Sequence, residues 1–144
     1  MDKKAKTQKI ILMDSSAILN DFGFSFEKGT RYLITSKCFN ELKDVRSKNL
    51  AENALHSGAL EIIDPCPLSV QKALHKCREI NCSVSEADES VFALALELKQ
   101  RKENFSVLSD DFSLQNLLKK QKINFKGVMR GEIKKVKRFK KKTN

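Results

Sequence analysis

The 144 residues suffice for one compact domain with a short appendage and leave no material for a second core. A hydrophobic share of 40% against 32% charged residues excludes a disordered chain, and no run approaches the ~18 apolar residues of a membrane span. The formal charge of +10 sits in two arms, since residues 1–9 carry +3 and residues 130–144 carry +7, whereas residues 10–129 hold sixteen basic and sixteen acidic groups and are neutral.

Along the chain, Met1-Asp2-Lys3-Lys4 leads into a strand-like segment without a signal-peptide cleavage region, so a cytoplasmic location is expected. The apolar run Lys9-Ile10-Ile11-Leu12-Met13 suits a strand buried on both faces of a parallel sheet and ends at Asp14-Ser15-Ser16. A second strand, Tyr32-Leu33-Ile34, precedes Thr35 or Ser36 as a helix cap, with Cys38, Leu42 and Val45 at helical spacing. A further helix over Leu50 to His56 stops at Ser57-Gly58. Leu60 to Ile63 then reads as a strand ended by Asp64-Pro65.

Pro67-Leu68-Ser69 opens a helix reaching about Ile80. The strongest helical pattern starts at Ser85: this residue is a good cap, acidic residues fill the first turn, and Val91, Leu94, Ala95 and Leu98 form an apolar stripe. Phe105 to Leu108 is another strand, cut at Ser109-Asp110-Asp111, and Ser113 to Gln121 forms a helix before the short run Asn124-Phe125-Lys126. Strands alternating with helices at these spacings imply an α/β sandwich around a mainly parallel sheet.

In such sheets, sites form at the carboxyl ends of strands, where Asp14 and the Asp110-Asp111 pair fall. Asp88 lies three residues before Val91 and seven before Ala95, on the inward stripe of its helix, and Glu41 borders the inward face of an earlier one. Taken singly, Asp14 and Asp110 also suit helix caps, Asp88 suits a first turn, and Glu41 suits a solvated face. Their joint placement carries the functional reading. Crowded carboxylates repel one another unless a cation lies between them, and an all-oxygen set with no His or Cys fits one or two Mg²⁺ or Mn²⁺ ions. Phosphodiester hydrolysis is the natural chemistry.

Ser15, Ser16 and Ser109, beside these carboxylates, are placed to hold them, a water or a substrate phosphate by hydrogen bonds. His56 and His75 have no neighbours that suggest nucleophilic catalysis. The cysteines, Cys38, Cys66, Cys77 and Cys82, show no CxxC spacing and read as reduced core or half-buried thiols. In the C-terminal arm, Lys134, Lys135, Lys137, Arg138, Lys140, Lys141 and Lys142 suit a polyphosphate, and Phe139 is suited to stack on an unpaired base. Solubility alone is the bland explanation of such a run, and a membrane partner is disfavoured because the run lacks an apolar face.

Several motifs resemble PIN-domain ribonucleases: Ile11-Leu12-Met13-Asp14-Ser15-Ser16-Ala17-Ile18, Phe39-Asn40-Glu41-Leu42, Ser85-Glu86-Ala87-Asp88 with Phe92-Ala93-Leu94-Ala95, and Leu108-Ser109-Asp110-Asp111. The run Ser109-Asp110-Asp111-Phe112-Ser113-Leu114-Gln115-Asn116 and the later Arg130-Gly131-Glu132 resemble the Nob-type branch, endonucleases that mature the 3′ end of small-subunit rRNA. The resemblance implies a three-layer sandwich over residues 10–129. It also implies Asp14, Glu41, Asp88 and Asp110 or Asp111 as catalytic metal ligands, and RNA, as an rRNA precursor or pre-ribosomal subunit, as the partner. A homodimer is compatible with it.

Nob-type proteins usually continue past the Arg-Gly segment into a zinc ribbon with paired CxxC motifs. Lysines follow here, so no zinc is expected, and the basic arm either replaces the ribbon or marks a different RNA target. A VapC-like toxin ribonuclease would use the same carboxylates, and a non-catalytic RNA-binding factor would use only the arms.

Overall fold

The computed structural model describes residues 8–21 and 23–128, so the basic C-terminal arm and most of the N-terminal one lie outside it. Five short parallel strands form one sheet: β1 (Ile10–Met13), β2 (Arg31–Ile34), β3 (Leu60–Ile62), β4 (Phe105–Leu108) and β5 (Phe125–Lys126). Their order across the sheet is β3-β2-β1-β4-β5. The expected α/β architecture with a parallel sheet is therefore what the chain adopts. No helix among the described residues is long and apolar enough to cross a membrane.

β1 is the central strand, and all four of its residues are buried. It has no wet face because helices cover the sheet on both sides, which is why its sequence is a continuous apolar run rather than an alternating one. The chain first winds outward from β1 through β2 to β3, then crosses back to place β4 on the other side of β1. The strand order thus reverses between β1 and β4. Such a switch point opens a crevice beyond the carboxyl ends of the two strands, because the loops leaving them diverge.

Between the strands lie α1 (Ser15–Leu19), α2 (Ser36–Phe39), α3 (Val45–Ser57), α4 (Pro67–Glu79), α5 (Glu86–Gln100) and α6 (Phe112–Lys120). Two differ from the sequence expectation. A helix directly after Asp14 has no apolar periodicity to announce it, being five residues long and capped by Asp14 itself, whose side chain accepts from the Ser16 amide. The single helix expected through Cys38, Leu42 and Val45 is broken after Phe39, and α3 begins at Val45 rather than Leu50. Asp44 is the reason: it caps α3 by accepting from the Ser47 amide, so Val45 sits in a first turn facing solvent, 76% exposed.

α5 is the spine of the molecule. Ala87, Val91, Phe92, Ala93, Leu94, Ala95 and Leu98 are all buried, so apolar residues cover most of its circumference rather than one stripe. It packs against α4 and also touches β1, α2 and α6. Its buried Glu97 accepts from the Cys66 amide at 3.0 Å and the Ser69 hydroxyl at 2.9 Å, supplying the N-cap that Cys66 lacks at the start of α4. Phe92, fully enclosed, is among the largest side chains of the core. Phe92→Ala should cost about 3–5 kcal/mol through reduced burial and the residual cavity; a denaturant-unfolding midpoint shift equivalent to under about 1 kcal/mol would show that α5 is not held through this ring.

Candidate active site

The sheet register determines what stands beside Asp14. Met13 is level with Leu108 of β4, so Asp14 is level with Ser109. The Asp14 amide donates to the Leu108 carbonyl at 3.2 Å, and the Ser109 hydroxyl donates to Asp14 Oδ2. On the other side, the Ser16 amide and hydroxyl both donate to Asp14 Oδ1, at 2.9 and 2.5 Å. This carboxylate is 3% exposed. Burial pushes its pKa up, against the hydrogen bonds from Ser109 and Ser16, which lower it.

Around Asp14 opens a pocket of about 360 Å³ lined by Asp14, Glu41, Asp88 and Asp111, by five serines and by Val84. The elements that deliver each carboxylate are distinct. Glu41 stands in the turn after α2, outside the helix expected to carry it, and is exposed; buried Leu42 anchors the turn, and the Ser15 hydroxyl donates to Glu41 Oε1 at 2.6 Å. Asp88 sits in the first turn of α5, with its amide bound by the capping Ser85 hydroxyl at 3.1 Å. Asp111 follows β4 and caps α6, accepting from the Leu114 amide through Oδ1, which leaves Oδ2 for the pocket.

The neighbouring Asp110 is turned elsewhere. Its Oδ1 accepts from the Val128 amide at 2.8 Å and its Oδ2 from the Asn20 side chain at 3.3 Å, and it does not line the pocket. Its amide donates to the Ser16 hydroxyl, which itself donates to Asp14. Asp110 thus ties the segment after β5 and the end of α1 to the carboxylate cluster without joining it.

Of the three serines singled out in the sequence, Ser15 and Ser16 line the pocket and Ser109 lies buried behind Asp14. Ser83, Ser85 and Ser113 also line it. Ser83 and Ser113 are site residues that sequence reasoning misses; the signals for them are the Ser-Val-Ser run just before the Asp88 helix and a serine two residues after Asp111. Beneath the pocket, the Ser90 hydroxyl donates to the Ala87 carbonyl at 2.6 Å, leaving Thr35 to donate to Ser90 Oγ at 2.8 Å, while Thr35 accepts from the Cys38 amide. This buried chain joins the end of β2 to the turn of α5 that bears Asp88. His56 and His75 are exposed and outside the pocket, and Cys66 is exposed rather than half-buried.

No Lys, Arg or His is among the described residues lining the pocket. Asp88 is pushed up to about 6, first by burial and then by the negative charges of Asp111, Asp14 and Glu41. Among the described residues no three His, Cys, Asp or Glu side chains are drawn together into a ready-made ligand set. A pocket of this size lined by carboxylates and hydroxyls fits a hard divalent cation that keeps part of its water shell, since such an ion needs only one or two direct carboxylates.

A stability consequence follows from Asp88. Its ordinary value is 3.8 and its folded value about 6, so between these pH values the native chain holds a proton that the unfolded chain has released. Stability from this group therefore falls as pH rises through that window. In chelator, Asp88→Asn should be more stable than the parent at pH 7 by about 1 kcal/mol, discounted for partial exposure. The advantage should vanish by about pH 3.5. A variant less stable than the parent at pH 7 would mean that Asp88 is paired rather than repelled.

No family model matches the sequence. The endoribonuclease Nob1 of Methanothermobacter thermautotrophicus is 34% identical over 125 residues, covering 85% of this chain and 70% of that protein. The endoribonuclease Nob1 of Pyrococcus abyssi is 36% identical over 129 residues, covering 88% and 72%. Ribonuclease VapC3 of Aeropyrum pernix is 28% identical over 112 residues, covering 76% and 79%. Among solved structures, VapBC2 from Rickettsia felis, bound to a promoter DNA fragment, matches with a TM-score of 0.55 at 10% identity, over 82% of this chain and 98% of that one. That last likeness concerns the fold alone, which is the PIN fold. With at least two-thirds of two Nob1 proteins aligned at more than 30% identity, the chain belongs to the Nob1 family of endoribonucleases.

Proposed function

We propose that this protein hydrolyses a phosphodiester bond of precursor small-subunit rRNA, using one or two Mg²⁺ or Mn²⁺ ions held by Asp14, Glu41, Asp88 and Asp111. The observation that supports it best is the convergence of four carboxylates from four separate elements on one pocket that, among the described residues, no cationic side chain lines. For Asp14 and Asp88, which burial affects most, a structural role would call for a partner of opposite charge, because burying an unpaired carboxylate is costly. A divalent cation held by these residues would supply Lewis-acid stabilisation of the charge that develops on the phosphate during in-line attack by water.

The chain's own residues prepare that chemistry. Ser16 and Ser109 fix the Asp14 carboxylate from both sides, and Ser15 turns Glu41 toward it. Ser83 and Ser113 at the pocket wall are placed to donate to non-bridging phosphate oxygens. The VapC-like toxin reading uses the same carboxylates but is the weaker one, because the Nob1 relatives are more similar than VapC3 and share more of this chain.

The test is cleavage of an RNA spanning the small-subunit rRNA 3′ end with Mn²⁺. Asp14→Asn and Asp111→Asn should each lower kcat by more than the ~10–100-fold typical of losing a group behind a metal ligand, and Ser109→Ala should fall within that range. Asp110→Asn should lose far less activity than Asp111→Asn. Equal cleavage by the parent and Asp14→Asn would sink the catalytic reading, and RNA binding without cleavage by either would favour a non-catalytic binding factor.

RNA affinity falls in this proposal to the basic arms, since residues 10–129 are neutral overall. Removing residues 134–144 should weaken binding and flatten its salt dependence, by about 0.7 in log–log slope for each phosphate no longer neutralised. An unchanged slope would show the arm to be idle.

A further inference from the structure

The outer face of α6 offers a surface that neither the carboxylates nor the arms account for. Leu114, Gln115, Leu117 and Leu118 are the buried side of this helix, and Phe112, Ser113, Asn116, Lys119 and Lys120 are exposed. Phe112, Asn116 and Lys120 are spaced four residues apart, so they form one ridge, with Lys119 beside its end. The ridge starts at the pocket: Phe112 lies between Asp111 and Ser113, both of which line it. It then runs about 12 Å along the helix, roughly three stacked nucleotides at ~3.4 Å each.

Phe112 is 63% exposed. Exposure of one apolar side chain means little, and Val45 and Leu68 are exposed too. Its position and type are what distinguish it. Every other aromatic side chain among the described residues is partly or fully buried: Phe24, Phe26 and Tyr32 pack edge to face, and Phe92 fills the core. The single exposed aromatic among them therefore lies between two residues, Asp111 and Ser113, that line a pocket of carboxylates, which repels phosphate. Substrate affinity next to such a pocket has to come from elsewhere, and an aromatic face gives it without regard to base identity.

We infer that the ridge of α6 holds the single-stranded RNA flanking the scissile phosphate, with Phe112 stacked on the nucleobase next to the pocket and Asn116, Lys119 and Lys120 following the strand away from it. This rests on the endonuclease reading above and adds the substrate path to it. Phe112 is a positioning residue: it sets where the strand lies and takes no part in the bond exchange.

The experiment uses the full chain and a single-stranded oligoribonucleotide across the rRNA 3′-end junction, with 2-aminopurine on either side of the bond to be cut. In an Asp14→Asn background, which keeps the RNA intact, binding should quench one of the two positions. Phe112→Ala should abolish that quench and weaken Kd about tenfold, and Phe112→Tyr or Phe112→Trp should restore both. In the otherwise unaltered chain, Phe112→Ala should raise KM about tenfold with a smaller change in kcat. Lys119→Ala with Lys120→Ala should lower the log–log salt slope by about 1.4.

The inference is overturned if Phe112→Ala leaves quench and KM unchanged. It is equally overturned if the variant only lowers Tm or alters oligomeric state, as a ring docked on protein would. Should the unaltered chain cleave no RNA, the endonuclease reading falls, while the fluorescence still decides whether the ring stacks on a base.

Discussion

A buried carboxylate at the end of the central strand is the constraint around which this molecule is organised. β1 is apolar throughout and enclosed on both faces, and the residue that follows it is an aspartate at 3% exposure. Burial of that charge is offset by hydroxyl and amide donors from two directions, and both depend on the fold. Ser16 is close because Asp14 starts a helix, and Ser109 is close because β4 pairs with β1 in the register that levels the two. A slip of one residue in that pairing would replace Ser109 by an apolar or acidic neighbour. The same switch point that creates the crevice therefore also creates the donors that make its deepest charge tolerable.

The second demand is to bring further carboxylates to the first despite their repulsion. Asp88 is pressed into place by α5, whose apolar residues are enclosed on nearly all sides, so the helix cannot roll to move its first turn outward. The Thr35, Ser90 and Ala87 hydrogen bonds brace that turn against the end of β2. Cys38 packs in the same region, donating to the Ala87 carbonyl at 3.7 Å; burial pushes its thiol up to about 12, so it serves as a small apolar filler. Core packing thus holds Asp88 where burial first, and then the negative charges of Asp111, Asp14 and Glu41, raise its pKa.

How much of this is legible in the sequence depends on whether the signal is local. Asp14 and Asp88 are readable because a strand end and a helical stripe are local patterns. Glu41 is found by a geometric argument that the structure overturns: Cys38, Leu42 and Val45 fit a helical period, but Asp44 provides a stronger cap three residues before Ser47, and the chain breaks to use it. The short helix after Asp14 carries no period at all. Asp110 and Asp111 are inseparable in sequence because adjacent residues at a strand end diverge in direction, and the choice between them depends on the Val128 amide, eighteen residues away along the chain from Asp110. Glu97 is hidden for a similar reason, since only the packing of α4 on α5 reveals that its carboxylate caps a different helix.

The choice of serine as the supporting residue follows from what the site must retain. A lysine or arginine beside Asp14 would satisfy its oxygens equally well, but it would neutralise the charge and compete directly with any cation for them. A hydroxyl orients a carboxylate oxygen with one hydrogen bond and leaves both the net charge and a second lone pair available. Ser15 and Ser109 meet that condition for Glu41 Oε1 and Asp14 Oδ2, whereas Ser16 fills Asp14 Oδ1 with two donors, its amide and its hydroxyl. Asp111 meets it by a different route, using one oxygen on the amide of Leu114 and keeping the other for the pocket. Each support thus fixes direction without cancelling charge. The absence of basic residues from the described wall is the counterpart of that rule, and it displaces the task of gripping an anionic strand to surfaces outside the pocket.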